Sequence, residues 1–92
     1  MPFRELEVEE HILNKIESKH GVTYDEADEV FRNPRRYERR SRFGLYSIYG
    51  QTEAGRYLLV VVARKDTRVW QLVTARDLTQ QERRMLQDRL GR

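Results

Sequence analysis

The chain contains no cysteine. That excludes a disulfide framework, a Cys-based zinc centre and thiol redox chemistry. It has no apolar run of about 18 residues, the least that crosses a bilayer as a helix. Its start, Met1-Pro2-Phe3-Arg4-Glu5-Leu6-Glu7, lacks the basic-then-apolar layout of a secretory signal. The expected location is therefore the cytoplasm. No glycine-rich phosphate loop and no nucleophile elbow occur. The two histidines, His11 and His20, stand nine residues apart with no cysteine near them, which is no recognisable zinc pattern. No metal and no other cofactor is expected. Only two prolines are present, and Pro34 is the one that punctuates the interior of the chain.

Charge is what the sequence has in abundance. Of 92 residues, 36% are charged and 38% hydrophobic, enough for one domain over 1–92 with a modest core. The net charge of +3 hides a segregation. Residues 1–31 carry nine acids against three cations, a net of −6, whereas residues 32–92 carry fifteen cations against six acids, a net of +9. Fifteen of the eighteen cations are arginine. Arginine grips phosphates bidentately and stacks on bases, so an anionic partner, RNA above all, is expected. A codon bias would enrich arginine, but it would not separate acids from bases along the chain.

Val8, Ile12 and Ile16 recur at helical spacing and predict a first helix over about 8–18. Gly21, after His20, can take the left-handed conformation that ends it. Thr23 and Glu26 form a capping box, predicting a second helix over about 24–32 that buries Tyr24, Ala27, Val30 and Phe31. Pro34 follows its end. The arginine-rich run 35–42 fits an edge strand or a loop. Residues 43–50 read as a strand, 51–55 as a hairpin connection and 56–64 as a central strand apolar on both faces. A turn at 65–67 leads to a strand over 68–76. Thr79 and Glu82 form a second capping box, opening a helix over about 80–90 with Met85, Leu86 and Leu90 inward and Arg83, Arg84 and Arg89 outward. The expected fold class is α+β: two N-terminal helices, an antiparallel three- to four-stranded sheet and a C-terminal helix. The natural layering puts helices on one face and a binding groove on the other.

Three ordered segments carry a family resemblance. They are Lys19-His20-Gly21-Val22 followed by Glu26-Ala27 and Val30-Phe31, the run from Gly50 to Leu58, and the run from Val73 to Thr79 with Glu82-Arg83-Arg84. Over residues 8–86 the chain resembles the BrnT-like toxins, small ribonucleases of type II toxin–antitoxin pairs with a RelE-like fold. The resemblance implies metal-independent endoribonuclease activity on RNA, inhibition of translation and a cognate antitoxin protein as partner. It departs from the family at Ile12 and Ile16, where a Lys and an Asn often stand, and at Met85, commonly Tyr.

Metal-free RNA cleavage needs a base, cations to stabilise the phosphorane and an acid for the leaving oxygen. His20 is the best titrating candidate, with capping of the first helix's carbonyls as its alternative role. His11 is a weaker one. Arg76 precedes the last helix, where free amides could help hold a phosphate; a salt bridge to Asp77 or Glu82 is the alternative. Arg56 and Arg64 bracket the central strand, and either could reach a groove. Lys19, Arg35, Arg36, Arg39, Arg40 and Thr74 are the candidates for nucleic-acid contact. Tyr46, Tyr49 and Tyr57 either stack on bases or pack in the core. A non-catalytic nucleic-acid-binding or protein-interaction module on the same fold remains the alternative function, and pairing of the acidic segment with the basic surface of a second copy would give a homodimer.

Overall fold

In the computed structural model, residues 4–91 are described; the reading of Met1-Pro2-Phe3 lies outside them. The elements run β1 (Glu5–Glu7), α1 (Glu10–His20), α2 (Tyr24–Arg32), β2 (Tyr37–Arg40), β3 (Leu45–Gln51), β4 (Tyr57–Arg64), β5 (Val69–Asp77) and α3 (Gln80–Arg89). They form an α+β domain around one five-stranded mixed sheet of order β1-β5-β4-β3-β2. Among the described residues no helix is long and apolar enough to cross a membrane.

The helices start and stop where local chemistry requires. Gly21 ends α1 at φ 62°, with its amide and that of Val22 closing on the Glu17 and Ile16 carbonyls. Both capping boxes are formed: Thr23 with Glu26 and Thr79 with Glu82. Each threonine hydroxyl accepts from the glutamate amide while the glutamate accepts from the threonine amide.

The continuous apolar run of β4 is explained by cover on both faces. Leu58, Val60 and Val62 point to α1 and α2, joining Ile16, Val22, Ala27, Val30, Phe31 and Ile48 in the main core. Leu59 points the other way and packs with Tyr49, Leu78 and Leu86 beneath α3. The expected layering is thereby corrected: α3 lies on the face opposite α1 and α2. The groove face assumed from the sequence is half roofed, because the apolar positions of α3 need a sheet to bury against.

β5 keeps its core residues inward by a bulge. Val61 pairs with Thr74 but Val62 pairs with Leu72, so Val73 is an extra residue. Strict alternation would put Leu72 and Ala75 on opposite faces. With the bulge both are buried in the main core.

The sheet has five strands where three or four were expected, and it is mixed where an antiparallel sheet was expected. β1 pairs with β5 in parallel, Leu6 opposite Trp70. Leu6 is buried, and its carbonyl accepts from the Tyr24 hydroxyl at 2.5 Å. The run 35–42 resolves as the edge strand β2 followed by a tight turn. At Gly50 an added Cβ would lie 3.3 Å from Val30 Cγ1, so glycine there lets α2 approach β3.

Candidate nucleic-acid interface

The sheet sorts the predicted residues by end and by face. The α1–α2 turn, the start of β4 and the end of β5 meet at one end. There Arg56 is the hub. Its guanidinium donates to Asp77 at 2.8 and 3.1 Å, to Glu26 at 3.0 and 3.2 Å, and to the carbonyls of Gly21 and His20 at 2.8 and 3.0 Å. These hydrogen bonds, that to Asp77 foremost, raise the Arg56 pKa further and hold the Asp77 carboxyl below its usual range. Glu26 is lowered as well, first by the Thr23 amide and then by Arg56. Arg56 thus ties the helical pair to the sheet.

Arg76 lies at the same end but on the α3 face, opposite Leu59 in the register. It meets Glu82 through two parallel hydrogen bonds of 2.9 Å each and also donates to the Asp77 carbonyl. The Arg76 guanidinium pulls the Glu82 carboxyl down to about 2. Glu82 already serves the α3 cap, so the anion at that helix N-terminus is the protein's own carboxylate.

Arg64 sits at the far end of β4, eight residues from Arg56 and so about 26 Å away along an extended strand. Its guanidinium lies 5.6 Å from the Trp70 ring centroid. The four catalytic candidates therefore do not converge: His20 and Arg56 share one corner, Arg76 points to the opposite face, and Arg64 stands at the other end.

His20 is half-buried at the last turn of α1, close enough to Asp77 that its charge helps lower that carboxyl. Lys19 beside it is exposed. An adjoining cleft of about 380 Å³ is lined by Gly55, Arg56, Tyr57, Asp77, Leu78 and Arg83. Arg83 lies over the Tyr57 ring at 4.4 Å, and the Tyr57 hydroxyl accepts from Gln87. A groove along α3 adds Gln80, Arg84 and Gln87. A hollow between α2 and the β3–β4 connection contains Asp28, Glu29 and Glu53, which suits no anion.

The remaining candidates divide likewise. Arg36 is turned inward, its side chain 14% exposed, donating to the Phe31 carbonyl and to Glu38. Arg35, Arg39 and Arg40 are exposed. Arg40 lies 5.5 Å from the Tyr46 ring centroid. Thr74 is half-buried on the α3 face opposite Val61. Tyr46, Tyr49 and Tyr57 all pack against the core clusters. Trp70 meets Phe31 and Tyr46 edge-on. His11 is exposed, 3.6 Å from Glu9. Ile16 is fully buried and Ile12 packs against the same core, so both departures from the family pattern face the sheet. Among the described residues no three His, Asp or Glu side chains gather as a metal site.

Sequence reasoning missed Arg83 as a cleft residue and the Arg56–Glu26 link. The first was legible as an arginine one turn inside the capping box; the second, spanning thirty positions, left no local signal.

Two helices on one face of a mixed sheet, a third on the other and exposed arginines outside make this a small cationic α+β domain. Its fold is that of a BrnT-like toxin. The crystal structure of the Brucella abortus ribonuclease toxin BrnT aligns with a TM-score of 0.71, covering 84% of this chain and 99% of that one at 11% identity. No family model matches the chain, and no curated protein matches it in sequence.

Proposed function

We propose that the chain is the toxin of a type II toxin–antitoxin pair, an endoribonuclease that cuts RNA without a metal, inhibits translation and is held in check by a cognate antitoxin protein in the cytoplasm. The observation that carries this is the fold shared with a ribonuclease toxin across nearly the whole of that protein. The surplus of unpaired arginine agrees with it independently. In this reading the RNA backbone crosses the cleft between Tyr57, Asp77 and Arg83. His20, whose carbonyl accepts from the cleft residue Arg56, takes the proton from a 2′-hydroxyl, whose oxygen attacks the adjacent phosphorus. The 5′-oxygen leaves with a proton drawn from water, giving a 2′,3′-cyclic phosphate and a 5′-hydroxyl. Lys19 and Arg83, which have no carboxylate partner among the described residues, stabilise the phosphorane. Arg56 positions His20 through its backbone carbonyl.

Expression in a bacterial host without the antitoxin should arrest growth, and His20→Ala should abolish the arrest. Purified protein should leave 2′,3′-cyclic phosphate ends on RNA. Harmless expression together with intact RNA would refute the proposal.

A second reading is a binding module that retains the fold without cutting. It is favoured by the engagement of Arg56 and Arg76 with carboxylates and by the core positions of Ile12 and Ile16. Salt-sensitive RNA binding with no cleavage products would select it.

A further inference from the structure

Phe43 stands out at the end of the sheet away from His20. It is 93% exposed, the one large hydrophobic so exposed among the described residues. It also holds φ 64° and ψ 25°, in the left-handed region. A tight turn over Arg42–Gly44 joins β2 to β3, with Gly44 also left-handed at φ 71°. The Leu45 amide closes the turn on the Arg42 carbonyl, and the Ser41 amide bonds the Leu45 carbonyl at 2.9 Å.

Two successive left-handed residues favour Asn-Gly or Asp-Gly in a hairpin. A bulky ring there costs about 1–2 kcal/mol over a residue suited to that region. Burial does not offset the cost here, since the ring touches water nearly all round. Strain without an internal return points to a use outside the chain.

The surroundings say which use. Arg39, Arg40, Ser41, Arg42 and Gly44 are all exposed, and none of these arginines has an ion pair among the described residues. The ring's chain neighbours offer a protein partner little apolar surface: Arg42 and Gly44 flank it and Leu45 is half-buried. A lone aromatic ring among unpaired guanidinium groups suits a nucleobase flanked by phosphates.

We propose that the β2–β3 turn is a single-strand RNA contact, in which Phe43 stacks on an unpaired base while Arg39 and Arg42 take the neighbouring phosphates. This rests on the RNA-directed reading above and adds a preference for unpaired RNA, at a place separate from the cleft. β3 runs from the turn towards the cleft, and its seven residues span about 20 Å.

The test compares the wild type with Phe43→Asn and Phe43→Gly, both of which tolerate positive φ and keep or raise the melting temperature. Fluorescence anisotropy reads binding to a labelled oligouridylate and to a duplex RNA of equal length. Loss of the ring should weaken oligouridylate binding about fivefold or more. Duplex binding should be unchanged, and Phe43→Tyr should bind as the wild type does. If the wild type binds oligouridylate and both ring-free variants bind it equally well, the stacking proposal is overturned and the RNA-directed function stands. Equal weakening towards both RNAs also overturns it. If the wild type binds neither RNA, this proposal and the function it rests on fall together.

Discussion

Replacing Arg56 by alanine should cost the protein its stability before it costs any chemistry. The side chain is 29% exposed and serves four acceptors from three parts of the chain. Hydrogen bonds to charged groups contribute about 1.5–3 kcal/mol each when well shielded. Asp77 is 59% exposed, so its share falls to the surface scale of about 0.5 kcal/mol. Glu26, at 29%, and the two α1-end carbonyls retain more. The total comes to about 2–4 kcal/mol, set against about 5–14 kcal/mol for a domain of this length. At about 4–8 °C per kcal/mol the melting temperature should fall by about 8–32 °C. Lysine offers a point charge in place of the fork and should recover less than half of this. Thermal unfolding followed by circular dichroism at neutral pH measures it. A fall of under about 3 °C with RNA cleavage abolished would show that Arg56 acts on substrate and that the hub assignment is wrong.

Three further outcomes follow from other parts of the structure. The Glu82 carboxyl is held near 2, below its ordinary 4.5, so its contribution is complete above about pH 4.5 and drains away as pH falls towards 2. After allowance for the part-exposed Arg76 this is about 1–2 kcal/mol, and urea midpoints measured from pH 6 to pH 2 should fall less steeply in Glu82→Gln, which keeps the capping box. Ile16→Asn places an amide in a fully buried site without a partner, at a cost of about 3–5 kcal/mol, and should lower the melting temperature by more than about 12 °C in circular dichroism. RNA affinity should fall with rising salt, and Arg42→Ala should lower the log–log slope by about one while Arg76→Ala leaves it unchanged; the reverse pattern would place the phosphates on Arg76.

The sequence made the helices legible because their signals are local. Thr23–Glu26, Thr79–Glu82 and Gly21 each act within four residues and needed nothing beyond the chain nearby. The apolar run of β4 spoke for a covered strand, and the structure covers it on both sides. β1 was illegible for the opposite reason: Glu5-Leu6-Glu7 is too short to show a period, and its pairing depends on Val69–Gln71, more than sixty positions away. The layering failed because capping and periodicity fix where α3 begins and which residues it buries, but not which face of the sheet receives them. The bulge at Val73 was hidden too, since the alternation it breaks is visible only once the register with β4 is known.

Charge shows most clearly what folding does to a sequence pattern. Along the chain the acids precede the bases, as though two surfaces of opposite sign were in preparation. In space several of the two sets cancel. Glu26 takes Arg56 and Glu7 takes Lys65 at 2.9 Å, while Asp77 and Glu82 take Arg56 and Arg76 from within the basic part. Arginines that look functional because they sit at strand ends and beside helix caps are there because carboxylates converge at those places too. Among the described residues, cations without a carboxylate partner lie elsewhere and include Arg39 and Arg42 around the β2–β3 turn and Arg83 and Arg84 along α3. A bridged guanidinium has already exchanged its water for a carboxylate, so a phosphate would have to displace that partner before gaining anything. An unpaired one gives up only water and counterions. The expectation of an anionic partner therefore survives the fold, but it moves from the residues that join the elements to those the elements leave outside.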